Sequence, residues 1–96
     1  MSAGDWKDMF GAACRGDLEL VRHHLEQGVD PDHVHPEVQS TALVASILAG
    51  HQDVALLLLD HGADPGLVSP LEAQTPAEAA RERGLDALAG DLLSRA

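Results

Sequence analysis

The stretch GHQDVALLLLDHGADP, residues 50–65, reads as a helix with its stop signal attached. Val54, Ala55, Leu58 and Leu59 recur at helical spacing and form one apolar stripe. Gly62 supplies a left-handed cap at the C-terminal end, and Asp64-Pro65 turns the chain away from the helix. The same device stands upstream as GDLELVRHHLEQGVDP, residues 16–31, and downstream, shortened, as GLDALAGDLLSRA, residues 84–96.

The copies keep one period. Gly16, Gly50 and Gly84 are 34 apart, as are Gly28 and Gly62, Asp30 and Asp64, Pro31 and Pro65, Pro36 and Pro70, and Thr41 and Thr75. A period of this length marks stacked supersecondary units, each burying its apolar face on its neighbours. The purely helical repeat of similar period, the tetratricopeptide kind, is disfavoured by DPDHVHPEVQS (30–40) and DPGLVSPLEAQ (64–74). Both segments hold too much proline and turn residue to continue a helix. Each unit therefore reads as a short helix, a tight turn at glycine, a second helix and an extended excursion.

This pattern resembles the ankyrin repeat from about Asp5 to Ala96. Unit two carries Thr41, Leu43, Gly50, His51, Val54, Leu58, Leu59, Gly62, Ala63 and Asp64 of the family pattern; unit three carries Thr75, Pro76, Ala79, Ala80, Gly84, Leu88, Leu92 and Leu93. Unit one has Ala12, Ala13, Gly16, Leu20, Val21, Leu25, Gly28 and Asp30, with Lys7 in place of the threonine. Phe10, Val44 and Glu78 occupy the position of the family's motif histidine. The fold expected is one all-α repeat domain, an α-solenoid of three units with β-hairpin-like loops between them. Its repeats span about 5–40, 41–74 and 75–96, and unit three is the polar end cap.

Composition narrows the function. A net charge of −10 and a pI near 4.7 argue against nucleic-acid or anionic-membrane binding, which need a basic footprint. Acidity serves solubility and attracts a basic partner. Cys14 is the single cysteine, so no internal disulfide forms and a reducing compartment fits. MSAGDWKDMF lacks an apolar core of signal-peptide length and no stretch is long enough to span a bilayer, so the expected location is cytoplasmic. The absence of Asn and Tyr, with five Arg to one Lys, is compatible with a bacterial, GC-rich coding origin.

Local signals assign most of the remaining residues. Residues 1 to 4 are expected to be loose, with Asp5 as N-cap of the first helix; Asp17 caps the second, Thr41 caps the helix running to Ala49, and Thr75-Pro76-Ala77-Glu78 is a capping box. Trp6 and Phe10, the only large aromatics, are expected to pack down onto unit two, the alternative being an aromatic anchor at one end of a binding groove. His24, at the position of Leu58, reads as a half-buried structural histidine. Val34 and Val68 match between excursions and read as structural.

His33 and His35 would share a face of an extended strand beside Asp32 and Glu37, at an exposed tip suited to partner contact. Two histidines without a third fixed ligand are a poor zinc signal, so no metal is assigned, though a histidine-based metal or pH sensor is a further alternative. In the second excursion, Leu67 and Leu71 make the tip more apolar and are contact candidates.

The ankyrin resemblance implies a concave binding surface made of excursion tips and inner helices. On the inner helices it points to Leu48 and Ala49, with Cys14 and Arg15 in unit one and Glu82 and Arg83 in unit three. An apolar Leu48 flanked by Arg15 and Arg83 suits a partner with an apolar centre and an acidic rim. Catalysis is not expected: Cys14 has no fixed His or Asp partner, the glycines stand singly, and the well-placed carboxylates have capping or turn roles. No cofactor is implied. The expectation is therefore a protein-binding module, as an immunity protein, chaperone or adaptor, that is monomeric. The rival is a self-associating protein dimerised through Leu56 and Leu57 or by end-to-end stacking.

Overall fold

A computed structural model describes residues 3–95, with side chains from residue 5 onward. It has six helices: α1 (Ala3–Arg15), α2 (Leu18–Glu26), α3 (Ala42–Leu48), α4 (Gln52–Asp60), α5 (Pro76–Glu82) and α6 (Asp86–Arg95). Each consecutive pair packs as one unit, while α1, α3 and α5 stack side by side as an inner layer and α2 lies against α4 in the outer one. No strand forms among the described residues, and Ser69 and Gln74 make one isolated antiparallel bridge. The architecture is thus the all-helical repeat stack that the period implies.

The three turns within units are one motif repeated. Asp17 N donates to Ala12 O at 2.9 Å, His51 N to Ser46 O at 2.9 Å and Leu85 N to Ala80 O at 2.8 Å. Each bond spans a glycine in the left-handed region, with φ of 79° at Gly16, 85° at Gly50 and 72° at Gly84. This is how a helix satisfies its last carbonyls while the chain reverses. The outer helices close in the same way, with Val29 N donating to His24 O and Ala63 N to Leu58 O past Gly28 and Gly62. Gly16 has a second constraint. The His51 ring of unit two lies so close that a Cβ on Gly16 would sit 2.6 Å from Nδ1.

Small side chains let the inner helices approach. Ala12, Ala13, Ala42, Ala79, Ala80 and Ser46 are fully buried, and Ser46 Oγ donates to Leu43 O at 2.8 Å, so its hydroxyl costs little there. Larger apolar groups come from both layers: Trp6, Met9, Leu43 and Ile47 from the inner helices, and Val21, Leu25, Val54, Leu58, Leu88 and Leu92 from the outer ones. The helix starts match their signals at three places. Asp17 accepts from Leu20 N and Thr41 from Val44 N, and Thr75 and Glu78 form the reciprocal capping box. Asp5 differs, since α1 already begins at Ala3 and Asp5 lies in its first turn, where its charge suits the positive helix end. Of the residues expected to be loose, Ala3 and Gly4 are therefore helical, and Met1 and Ser2 lie outside the described residues. Ala96, which the repeat pairs with Gly62, also lies outside them.

The excursions are turns rather than hairpin strands. Both open with an aspartate accepting from the amide two residues on, Asp30 from Asp32 N and Asp64 from Gly66 N, each at 2.9 Å. Both then place a non-glycine residue in the left-handed region, Gln39 at φ 60° and Ala73 at φ 57°. Those two positions are one repeat period apart, so the bend belongs to the unit. The excursions are tied to each other by Leu71 N donating to Gln39 O at 2.7 Å, and by Asp64 N donating to Asp32 Oδ1 at 2.9 Å.

Candidate interaction surface

At the C-terminal ends of the inner helices Cys14, Arg15, Ala49, Glu82 and Arg83 are exposed and Leu48 is half-buried. Between units two and three this surface deepens into an open groove of about 410 Å³, lined by Leu48, Glu72, Gln74, Glu82 and Arg83. Three of the residues singled out from the sequence therefore share one feature. Cys14 belongs to its surroundings, because its thiol is pushed up first by partial burial and then by the negative charge of Glu72, against the opposing pull of Arg15. A thiol held protonated in this way is a poor nucleophile. Arg15 folds back along α1, its Nη1 lying 3.1 Å from where a Cβ on Gly11 would be.

Glu72 anchors the groove wall. Ser40 Oγ donates to its Oε2 at 2.9 Å, and the buried Ser69 hydroxyl donates to Oε1. Ser69 Oγ in turn accepts from Thr41 N at 3.0 Å. Glu82 Oε2 accepts from Gln74 Nε2 at 2.8 Å. Glu72 and Gln74 were not singled out from the sequence. The signal for Glu72 was present, however, since the first excursion has the apolar Val38 at the equivalent position.

The excursion residues divide differently. His33 and His35 do not project from an extended strand: their segment is a series of turns that folds onto Trp6. The His35 ring stacks on the indole with centroids 6.0 Å apart, and His33 meets it edge-on at 5.4 Å. Phe10 adds a third ring at 5.1 Å. Trp6 is thus 3% exposed because its own unit's excursion covers it, rather than by packing onto unit two alone. Its Nε1 is buried without a hydrogen-bond partner among the described residues.

Asp32 is engaged by Asp64 N, and its carboxyl is raised first by burial and then by Asp30 and Asp64, with the backbone hydrogen bond opposing. Glu37 pairs with Lys7 at 2.9 Å, and that hydrogen bond and charge, with His35, hold its carboxyl below its ordinary value. Leu67 is half-buried, while Leu71 is 67% and Val68 49% exposed, so Val68 does not share the more buried setting of Val34. His24 is buried with Nε2 2.8 Å from Asp8 Oδ2, as a structural histidine should be. On the outer face Leu57 packs against the core, leaving Leu56 as the exposed leucine of α4. Among the described residues, no group of three or more His, Cys, Asp or Glu is placed to hold a metal ion, and no helix is long and apolar enough to cross a membrane.

The family profile for ankyrin repeats in three copies matches residues 9–93. The chain belongs to the ankyrin repeat family. Relatives of this ankyrin chain include cyclin-dependent kinase 4 inhibitor B of Bos taurus, 43% identical over 84% of the chain and 61% of the relative. The same protein of Rattus norvegicus is 42% identical over 92% of the chain and 67% of the relative. An ankyrin repeat protein of fowlpox virus is 36% identical over 64% of the chain and 8% of its own length. The chain spans about three-fifths to two-thirds of the length of these mammalian relatives. The bacterial origin inferred from residue usage finds no support in mammalian and poxviral relatives.

As an ankyrin stack this chain is unusual in one respect that bears on the groove. Where the family motif has histidine it has Phe10, Val44 and Glu78. A Ser40–Glu72–Ser69–Thr41 network ties the second excursion, which forms one wall of the groove, back to the junction of unit one with the start of α3.

Proposed function

We propose that this chain is a non-catalytic protein-interaction module that holds a partner protein against its concave face, and that the partner is a protein kinase domain of the cyclin-dependent kinase 4 class. The observation that carries the first part is the groove around Leu48, in which a half-buried leucine opens to solvent among polar side chains. An apolar centre with a polar rim is the usual anatomy of a docking site. The kinase is favoured because relatives covering most of the chain are inhibitors of that kinase by name. Among the roles expected from the sequence, neutralising an enzyme fits these relatives better than escorting a client or bridging two proteins. Residence in a reducing cytoplasm is part of the same proposal, and it leaves the Cys14 thiol free.

Calorimetric titration of the chain into purified cyclin-dependent kinase 4 is the direct test, with a 1:1 complex expected. Leu48→Arg should weaken that complex at least about tenfold, the effect of removing a central apolar contact, while leaving the fold intact. A kinase that binds Leu48→Arg as well as the parent would remove the concave face from the proposal. No heat of binding to the kinase would remove the kinase.

A further inference from the structure

Building on the concave-face assignment, on which it rests, we infer that the groove between units two and three seats a lysine or arginine side chain of the partner, with an apolar neighbour placed on Leu48. Two carboxylates line this groove, Glu72 and Glu82, and neither is neutralised by the chain itself. The ion pairs among the described residues are Lys7–Glu37, Arg22–Glu19, His24–Asp8 and Arg95–Asp91. Arg83 lines the same groove but forms no ion pair with either glutamate. Two carboxylates against one guanidinium leave the groove net negative in a chain that already carries −10.

What holds the two carboxylates is neutral. Serine hydroxyls orient Glu72, and the Gln74 amide orients Glu82 through Oε2, so that Oε1 of Glu82 remains open. Carboxylates fixed by uncharged donors are preorganised for a cation, because the ordering cost is met before the partner arrives and the charge is not yet compensated. The arrangement occurs once. One period upstream Val38 replaces Glu72 and Leu48 itself stands where Glu82 would be, so a partner is registered on this step of the stack and not the preceding one. A volume of about 410 Å³ accommodates one or two side chains rather than a folded element. The long-range field of the acidic chain steers the same kind of ligand toward it.

The test uses two capped tripeptides, acetyl-Leu-Arg-Leu-amide and acetyl-Leu-Glu-Leu-amide, titrated into the 15N-labelled chain and followed by amide chemical shifts. The arginine peptide should shift the amides of Leu48, Glu72, Gln74, Glu82 and Arg83 saturably. Its affinity should fall about fivefold in Glu82→Gln, the scale of one solvent-facing charge pair. Glu82 is exposed in the last turn of α5, so that variant should keep the parent's spectrum elsewhere. Glu72→Gln, which also disturbs the serine network, is the second variant and should lose at least as much. Equal or tighter binding of the glutamate peptide would overturn the inference in favour of Arg83 as the recognition group. Shifts confined to other surfaces, or none at millimolar peptide, would overturn it outright. Kinase binding without peptide binding at the groove would sink this inference alone, and the converse would sink only the kinase assignment.

Discussion

Replacing Gly16 by alanine should cost far more than the same change at Gly50, although both glycines end an inner helix in the same conformation. At Gly50, φ is 85° and a Cβ would meet nothing within 4 Å, so the loss is that of an L-residue in the left-handed region, about 1–2 kcal/mol. At Gly16, φ is 79° and the Cβ would lie 2.6 Å from His51 Nδ1, 2.7 Å from Cε1 and 3.0 Å from Cγ. Rotation of the imidazole about χ2 moves the first two atoms but leaves Cγ in place. Either the ring is displaced from the unit one–unit two interface or the units part, and overpacking of this kind costs about 1–3 kcal/mol more. Gly16→Ala should therefore lose roughly 2–5 kcal/mol, a large share of the ~5–15 kcal/mol that holds a small domain together. Urea denaturation followed by far-ultraviolet circular dichroism measures both variants. In Gly16→Ala/His51→Ala the extra loss should be largely relieved, giving a favourable coupling of about 1–3 kcal/mol. Equal losses at Gly16 and Gly50, or no coupling to His51, would refute the idea that this ring clamps the first two units.

Three further outcomes are expected. Leu58→Ala, at a site with 0% exposure, should destabilise by about 2–5 kcal/mol in the same urea assay, whereas Leu56→Ala, at 41%, should stay within about 0.5 kcal/mol. Asp32 has a folded-state pKa raised by burial, so it favours the folded state in acid and that contribution is lost as pH rises through the raised value. Asp32→Asn keeps an oxygen to accept from Asp64 N and removes the charge. It should gain about 0.5 kcal/mol or less at neutral pH, and the gain should vanish below about pH 4 in a pH series of urea midpoints. Sedimentation velocity at two widely separated concentrations should give one monomeric species, since Leu57 is drawn into the core and Leu56 is left without its expected neighbour on the outer face. A concentration-dependent shift toward dimer would favour self-association.

The parts of the stack legible in the sequence are those that local hydrogen bonding decides. Asp17, Thr41 and Thr75 cap helices through bonds spanning three residues, and the glycines sit where the backbone reverses within five. Such rules act over a turn or two of chain, so residue type and spacing carry them. The role of Glu72 is not legible there for the opposite reason. It meets Ser40 across 32 positions, and only the stacking of two excursions brings them together. His33 is exposed, as its sequence position suggests, but nothing near His35 in sequence shows the surface that half-buries it. Trp6, on the helix that opens the unit, provides it.

By itself the sequence determined the repeat, its period, its turns and the residues that fill the core, because each unit must bury one apolar stripe and reverse direction at fixed points. Tertiary structure alone decided which polar side chains remain available. Asp32, Glu37 and His35 are occupied by Asp64, Lys7 and Trp6, whereas Leu48, Glu82 and Arg83 are gathered with Glu72 into one groove. The reason is physical. Hydrophobic burial is encoded residue by residue, but a charge or an imidazole takes whichever partner the packing of neighbouring units places within a few ångströms of it.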